Sequence, residues 1–231
     1  MNAEQPQLHG DSQIELFQSV AEFNLYLVRF IHHSWLKTIK LSPLVRQLRQ
    51  AGNADYHLSH FLLKEFGLAN DYDYDFAEKY KRVVLANEDA ILKLALYLGI
   101  ILNESIIRNT IRKQERFLLE QVLGEEAFRF AVKKAQFFSR IGSDLGPSFL
   151  IDWDHLDSFR NYLLQSGFQV LGRAFSKSSP AFLKRLELKL PASFRDYIQN
   201  SEKSDLDIDQ CKTLVVKTHK EVNREWRHLF V

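Results

Sequence analysis

The chain has 231 residues, a formal net charge of +2, 45% hydrophobic and 26% charged residues, the balance of an ordinary soluble protein of one domain. So small a charge gives no global field that would gather nucleic acid, and that function is left unsupported by composition. Cys211 is the only cysteine, so an intrachain disulfide is excluded and the sequence fits a reducing cytoplasm. The polar N-terminus lacks the basic-then-apolar pattern of a signal peptide, and no segment is long and apolar enough to span a bilayer.

Residues 1–13 read as a flexible leader, and 14–231 as a single helical domain. Within Ile14–Ile31, Leu16, Val20, Phe23 and Leu27 recur at helical spacing, and a short helix with Trp35, Leu36 and Ile39 follows over His33–Leu41. Ser42 and Pro43 form a helix start, and Gly52 can take the left-handed turn that ends it. Asn53 or Asp55 caps the next helix, Tyr56–Phe66, which Gly67 closes. The acidic turn Asn70–Asp75, NDYDYD, leads into a helix expected over Phe76–Leu85.

The most strongly patterned stretch is Asn87–Phe138. Asn87 caps, Glu88 and Asp89 suit the positive end of a helix dipole, and Ala90–Leu102 is apolar nearly all round with Lys93 the one charge. Such a helix belongs inside a fold. An amphipathic run follows, in which Ile106, Ile107, Ile111, Leu118, Leu119 and Val122 alternate with Arg108, Arg112, Lys113 and Arg116. Gly124 punctuates it before a helix over Glu125–Phe138.

Gly142, Ser143, Asp144, Gly146 and Pro147 mark a loop, and Asp154 is placed to cap a helix carrying Leu156, Phe159, Leu163, Phe168 and Leu171. Gly167 and Gly172 weaken its continuity, each costing about 1 kcal/mol against alanine. Ser179-Pro180 opens Ala181–Leu190, which Pro191 stops; a short strand over Leu186–Leu190 stays open as the alternative. Asn200–Asp209 reads as an acidic loop, and a last helix runs from about Ile208 to Leu229. The fold class is all-α: one compact multi-helix domain around a buried central helix, with little or no β-structure.

Catalytic and metal motifs fail one by one. Asp71, Asp73 and Asp75 imitate the start of an EF-hand loop, but Phe76 stands where its glycine belongs and Arg82 where its glutamate belongs. They read instead as an exposed turn that offers a basic partner a contact. His57 and His60 lack the HExxH arrangement, and His32 and His33, placed on a helix, point to different sides. Cys211 reads as a buried structural residue, and no phosphate-binding glycine loop or GxSxG setting occurs. Arg108, Arg112, Lys113 and Arg116 form a basic face on which Arg108 and Arg112 stand four apart, suited to phosphates. Glu104, Glu115 and Glu120 interleave with them, which favours a solvated or partner-binding face.

An ordered series of short segments resembles the YscK family (SctK in unified naming; PscK, and more distantly OrgA and MxiK). The segments are LSHFLLKEFGL, Leu58–Leu68, with the acidic turn after it; LYLGIILNESIIRNTI, Leu96–Ile111; QSGFQVL, Gln165–Leu171; FLKRLELKLP, Phe182–Pro191; and the closing His228-Leu229-Phe230. The chain departs from the pattern in its N-terminal leader and in a charged 108–140 region. The resemblance implies a non-enzymatic adaptor of the bacterial type III secretion sorting platform, without cofactor or metal. Its implied partners are the cytoplasmic domain of the inner-membrane ring protein SctD and the SctQ pods, and indirectly SctL and the SctN ATPase. It also implies a place at the cytoplasmic face of the inner membrane, held there only through partners, with no nucleic acid expected. Asp71, Asp73 and Asp75 are the expected first contact patch, and Arg108, Arg112, Lys113 and Arg116 the second. The alternative is a helical regulator that binds nucleic acid through the basic 108–116 face.

Overall fold

The computed structural model describes residues 5–40, 42–52, 54–139, 150–199 and 207–230. In chain order its helices are α1 (Gln5–Leu25), α2 (Leu27–Phe30), α3 (His33–Leu36), α4 (Ser42–Ala51), α5 (Asp55–Glu65), α6 (Lys79–Arg82), α7 (Glu88–Leu102) and α8 (Glu104–Arg108). After them come α9 (Lys113–Leu123), α10 (Glu125–Lys133), α11 (Gln136–Ser139), α12 (Leu156–Phe175), α13 (Pro180–Lys189), α14 (Arg195–Gln199) and α15 (Ile208–Val222). Short 3-10 turns lie at Val83–Leu85, Ala192–Phe194 and Arg224–Phe230. No strand occurs among the described residues, as the all-α expectation requires. The loop expected at 142–147 and most of the one at 200–209 lie outside the described residues. α1 starts at Gln5, inside the stretch that sequence assigns to a leader.

The described residues group into two compact units. One draws on the ranges Met1–Glu88, Lys177–Asp196 and Glu225–Val231, the other on Asp89–Ser176 and Tyr197–Arg224. The chain therefore passes from one unit to the other repeatedly.

In the first unit, α2 packs on α5, and Leu27, Val28, Ile31, Leu36, Leu58, Leu62 and Leu188 share one core with Trp35. The Trp35 indole Nε1 donates to the carbonyls of Glu187 and Leu190 at 3.1 and 2.8 Å, giving a buried ring the polar partner it needs. α13 starts as its sequence requires: the Ser179 hydroxyl accepts from the Phe182 N–H at 3.2 Å with proline in the first turn. The Leu186–Leu190 segment is helical up to Lys189, which removes the strand alternative. Gly67, at φ 71°, turns the chain away from α5. Ala54 occupies the N-cap position there, and Asp55 lies one residue later, in the first turn. The helix expected over Phe76–Leu85 starts only at Lys79.

In the second unit, α7 is buried over most of its length, including Leu94–Ile101, as its near-continuous apolar run predicts. α12 runs unbroken through Gly167 and Gly172. The reason is tertiary: a Cβ on Gly99 would lie 1.9 Å from the Leu163 carbonyl oxygen, and one on Gly167 would lie 1.7 Å from that of Ala95. The two helices cross with their backbones in contact, and only glycine fits there. α12 also packs along α15, where Phe159, Leu163, Phe168, Leu171, Leu214 and Val215 are all buried. Asp207 and Gln210 form a reciprocal capping box at the start of α15. The last helix stops at Val222 rather than Leu229, since Asn223 leaves helical geometry and sends its Nδ2 to the Ala90 carbonyl at 2.8 Å. Asp154 does not cap α12; His155 is the N-cap residue, and Asp152 Oδ1 accepts from the Asp154 N–H.

Candidate functional site

The NDYDYD turn is an irregular loop held from beneath by a buried polar hub in the first unit. Asn24, fully buried on α1, donates from Nδ2 to the Asp73 carbonyl and accepts from the Asp73 N–H with Oδ1, both at 2.8 Å. The Asp73 carboxylate takes the Lys81 ammonium at 3.2 and 3.3 Å and the Ser179 hydroxyl at 2.6 Å. Lys81 also donates to the Asp75 carbonyl at 2.6 Å and its carboxylate at 3.3 Å. Asp73 and Lys81 are both buried, at 7% and 5% exposure. Such a pair adds little net stability over apolar packing, but removing one partner costs about 3–5 kcal/mol. Its effect is to hold the loop in one shape.

The three aspartates therefore do not form one exposed patch. Asp73 faces inward, because it alone reaches both Lys81 and Ser179, while Asp71 and Asp75 remain exposed. Between them, Tyr72 and Tyr74 turn outward at 41% and 56% exposure with ring centroids 5.9 Å apart. The outer surface of the loop is two carboxylates and two tyrosine rings. Beneath it lies Arg185, whose guanidinium donates to the carbonyls of Ala181 and Asn24, each at 3.3 Å, and sits 5.9 Å from the Tyr72 ring centroid. Burial lowers its pKa, and the nearby Asp71, Tyr72, Asp73 and Tyr74 oppose that shift.

The basic residues of the second unit are also divided. Arg108 ends α8 and Arg112 precedes α9 as its N-cap residue, so the two are not four apart on one helix. Arg108 is tied to Glu104 at 3.5 Å and to Gln136 at 2.8 Å. Arg116 donates to the Thr110 carbonyl at 3.4 Å and lies 5.4 Å from the Phe128 ring centroid. Arg112, paired with Glu115 at 3.1 Å, and Lys113 are the ones that reach solvent most fully. Two outward cations beside a carboxylate make a poor phosphate track.

Among the described residues no group of three or more histidine, cysteine, aspartate or glutamate side chains is placed to hold a metal ion. At Asp73 and Asp75 the Lys81 ammonium occupies the cationic position. His57 and His60 are both exposed. His32 precedes α3 and accepts from the Ser34 N–H with its Nδ1, so its ring lies 4.0 Å from that of His33 rather than on the opposite side of a helix. Cys211 is fully buried. Lys189 is buried with its ammonium on the Val84 carbonyl at 2.6 Å, and burial pushes its pKa down to about 7. No helix among the described residues is long and apolar enough to cross a membrane.

Asn24 and Arg185 carry no signal that a sequence reading could have used alone. Ser179 was visible only as a helix start, and Lys81 only as one position within the helix expected over Phe76–Leu85. One cue existed for α13: on a helical wheel Arg185 and Lys189 fall between Leu188 on one side and Phe182 and Leu186 on the other, so these two charges lie on its apolar side.

A family model described as YOP proteins translocation protein K (YscK) matches residues 19–231. Comparison with functionally characterised proteins and with solved structures finds no match.

Proposed function

We propose, because this chain belongs to the YscK family of type III secretion proteins, that it acts as a non-enzymatic adaptor of the sorting platform. In this reading it links the cytoplasmic domain of the ring protein SctD to the SctQ pods, and through them to SctL and the SctN ATPase. It would lie at the cytoplasmic face of the inner membrane by way of those partners.

The observation that carries the reading is the clamped 70–76 loop. Buried groups on α1 and α6 and the half-buried Ser179 that caps α13 are committed to it, while its outer surface presents Asp71, Tyr72, Tyr74 and Asp75. Tyrosine rings on a rigid support give contact area at small entropic cost, and carboxylates beside them select a basic partner. The test is titration of the folded chain with purified SctD cytoplasmic domain and with SctQ. Asp71→Lys combined with Tyr74→Ser, which leaves the Asp73, Asp75 and Lys81 hub untouched, should weaken binding to one of these by about tenfold and leave the circular dichroism spectrum unchanged. Full-strength binding of the double variant to both partners would remove the loop from the interface. Failure of the native chain to bind either would overturn the adaptor reading.

A further inference from the structure

Two large apolar side chains at the start of α9 stand in solvent, Ile111 at 87% and Phe117 at 58% exposure. Arg112, with 83% of its side chain exposed, and Lys113 lie between them in sequence. Neither charge nor exposure serves α9 itself. Cations at a helix N-terminus oppose the dipole, Arg112 makes no capping bond, and an isoleucine in water contributes no burial. Within α8 and α9 themselves Ile107 and Leu119 are fully buried, so the exposure of Ile111 and Phe117 stands out locally; elsewhere in the unit Phe137 and Leu150 are also exposed. Lys113, Phe117 and Gln121 recur every four residues as exposed positions, a stripe that continues from the Ile111 knuckle along one side of α9.

We propose that this knuckle is a docking surface for an acidic amphipathic helix of a partner protein. Apolar residues of that helix cover Ile111 and Phe117, and carboxylates beside them meet Arg112 and Lys113. Charge complementarity selects the acidic occupant, since the three cations Arg112, Lys113 and Arg116 outnumber the two carboxylates Glu115 and Glu120 along α9 and its N-cap. The exposed four-residue repeat selects a helix laid alongside rather than an added strand, which needs a free sheet edge. An anionic membrane fits less well, because lipid-directed basic clusters carry roughly 4–8 lysines and arginines. The inference rests on the adaptor reading for the partner's identity but not for its chemistry.

The test replaces Phe117 by the photoreactive p-benzoylphenylalanine in the full chain, in the cells that make it, and sequences the cross-linked peptide. The expected product is a helical segment with acidic residues beside an apolar stripe. The protein that carries it, once purified, should bind Phe117→Glu and Ile111→Glu about tenfold more weakly than the native chain. It should also bind Arg112→Glu more weakly, with a reduced salt dependence. Both apolar sites are exposed, so unchanged circular dichroism separates lost docking from lost folding. A cross-link to lipid, to a second copy of the chain or to a basic segment, the absence of any cross-link, or unaltered affinity of both variants would overturn the proposal. If the acidic helix belongs to a protein outside the secretion apparatus, the docking surface stands and the adaptor reading falls.

Discussion

At Lys189 the folded protein binds its proton less tightly than the unfolded chain does. Burial withdraws the ammonium from water and lowers its pKa to about 7, and the charges of Glu22 and Glu88 only partly offset this. In the unfolded chain a lysine titrates near 10.4, roughly its free value. Between those two values the unfolded state holds more protons, so stability rises with pH across that window. Below it, the full cost of burying the charge is present. Lys189→Met removes the titrating group, and urea unfolding at pH 7 and pH 9 isolates its effect. The native chain should gain about 2 kcal/mol more than the variant over that interval. Equal gains would mean that the buried ammonium keeps an ordinary affinity for its proton.

The same residue shows where a sequence reading stops. Lys189, Arg185 and Glu187 are charges that residue type alone sends to water, yet all three are buried. The partners that make this tolerable, Val84 for Lys189 and Asn24 for Arg185, are 105 and 161 residues away in the chain. Asp73 was misplaced for a like reason: three aspartates at alternate positions look equivalent until Lys81 and Ser179 single one out.

Among the elements, α7 was legible because an apolar run has one physical outcome in water, whatever its neighbours. α12 was harder, since helix propensity counts Gly167 as a local cost and cannot see the Ala95 backbone against it. That contact makes a prediction. Alanine is the better helix former, yet Gly99→Ala and Gly167→Ala should each destabilise the protein by about 3 kcal/mol, because the added carbon overlaps a carbonyl that cannot retreat without moving its helix. Thermal unfolding measures this. A rise in midpoint for either variant would show that the crossing has room to spare. The helix ends were the least legible feature: α1 and α2 part at Tyr26, α8 and α9 at residues 109–112, and α15 stops at Asn223. Just after Tyr26 the Val28 N–H goes to Ser59 Oγ at 3.2 Å, and at Asn223 the side chain goes to the Ala90 carbonyl at 2.8 Å; neither distant partner is visible in the local pattern.

For the whole molecule, the feature with most consequence is that each unit is assembled from separated ranges of chain. A fragment covering residues 1–88 contains Asp73, Lys81 and Asn24 but not Ser179, Arg185 or the Leu188 that joins the core around Leu27 and Leu62. It should therefore lack a cooperative unfolding transition, and adding a 177–196 peptide should restore one at least in part. A sharp transition for the fragment alone would show that α1–α6 hold together unaided. The 70–76 loop belongs to this unit, so if it carries the proposed adaptor contact, binding by the fragment should be lost along with its folding.

Order of synthesis gives the interleaving a further meaning. A ribosome delivers residues 1–88 first, yet Arg82 awaits the Leu229 carbonyl that it holds at 3.1 Å, and Leu229 and Phe230 are themselves buried. The unit that emerges earliest is thus completed after the whole of 89–224 has been translated. Until then Arg82 lacks the Leu229 carbonyl and the unit lacks the buried Leu229 and Phe230, so a nascent chain carries this unit unfinished. Assembly into a larger machine would be deferred, by topology alone, to chains whose synthesis has passed that point.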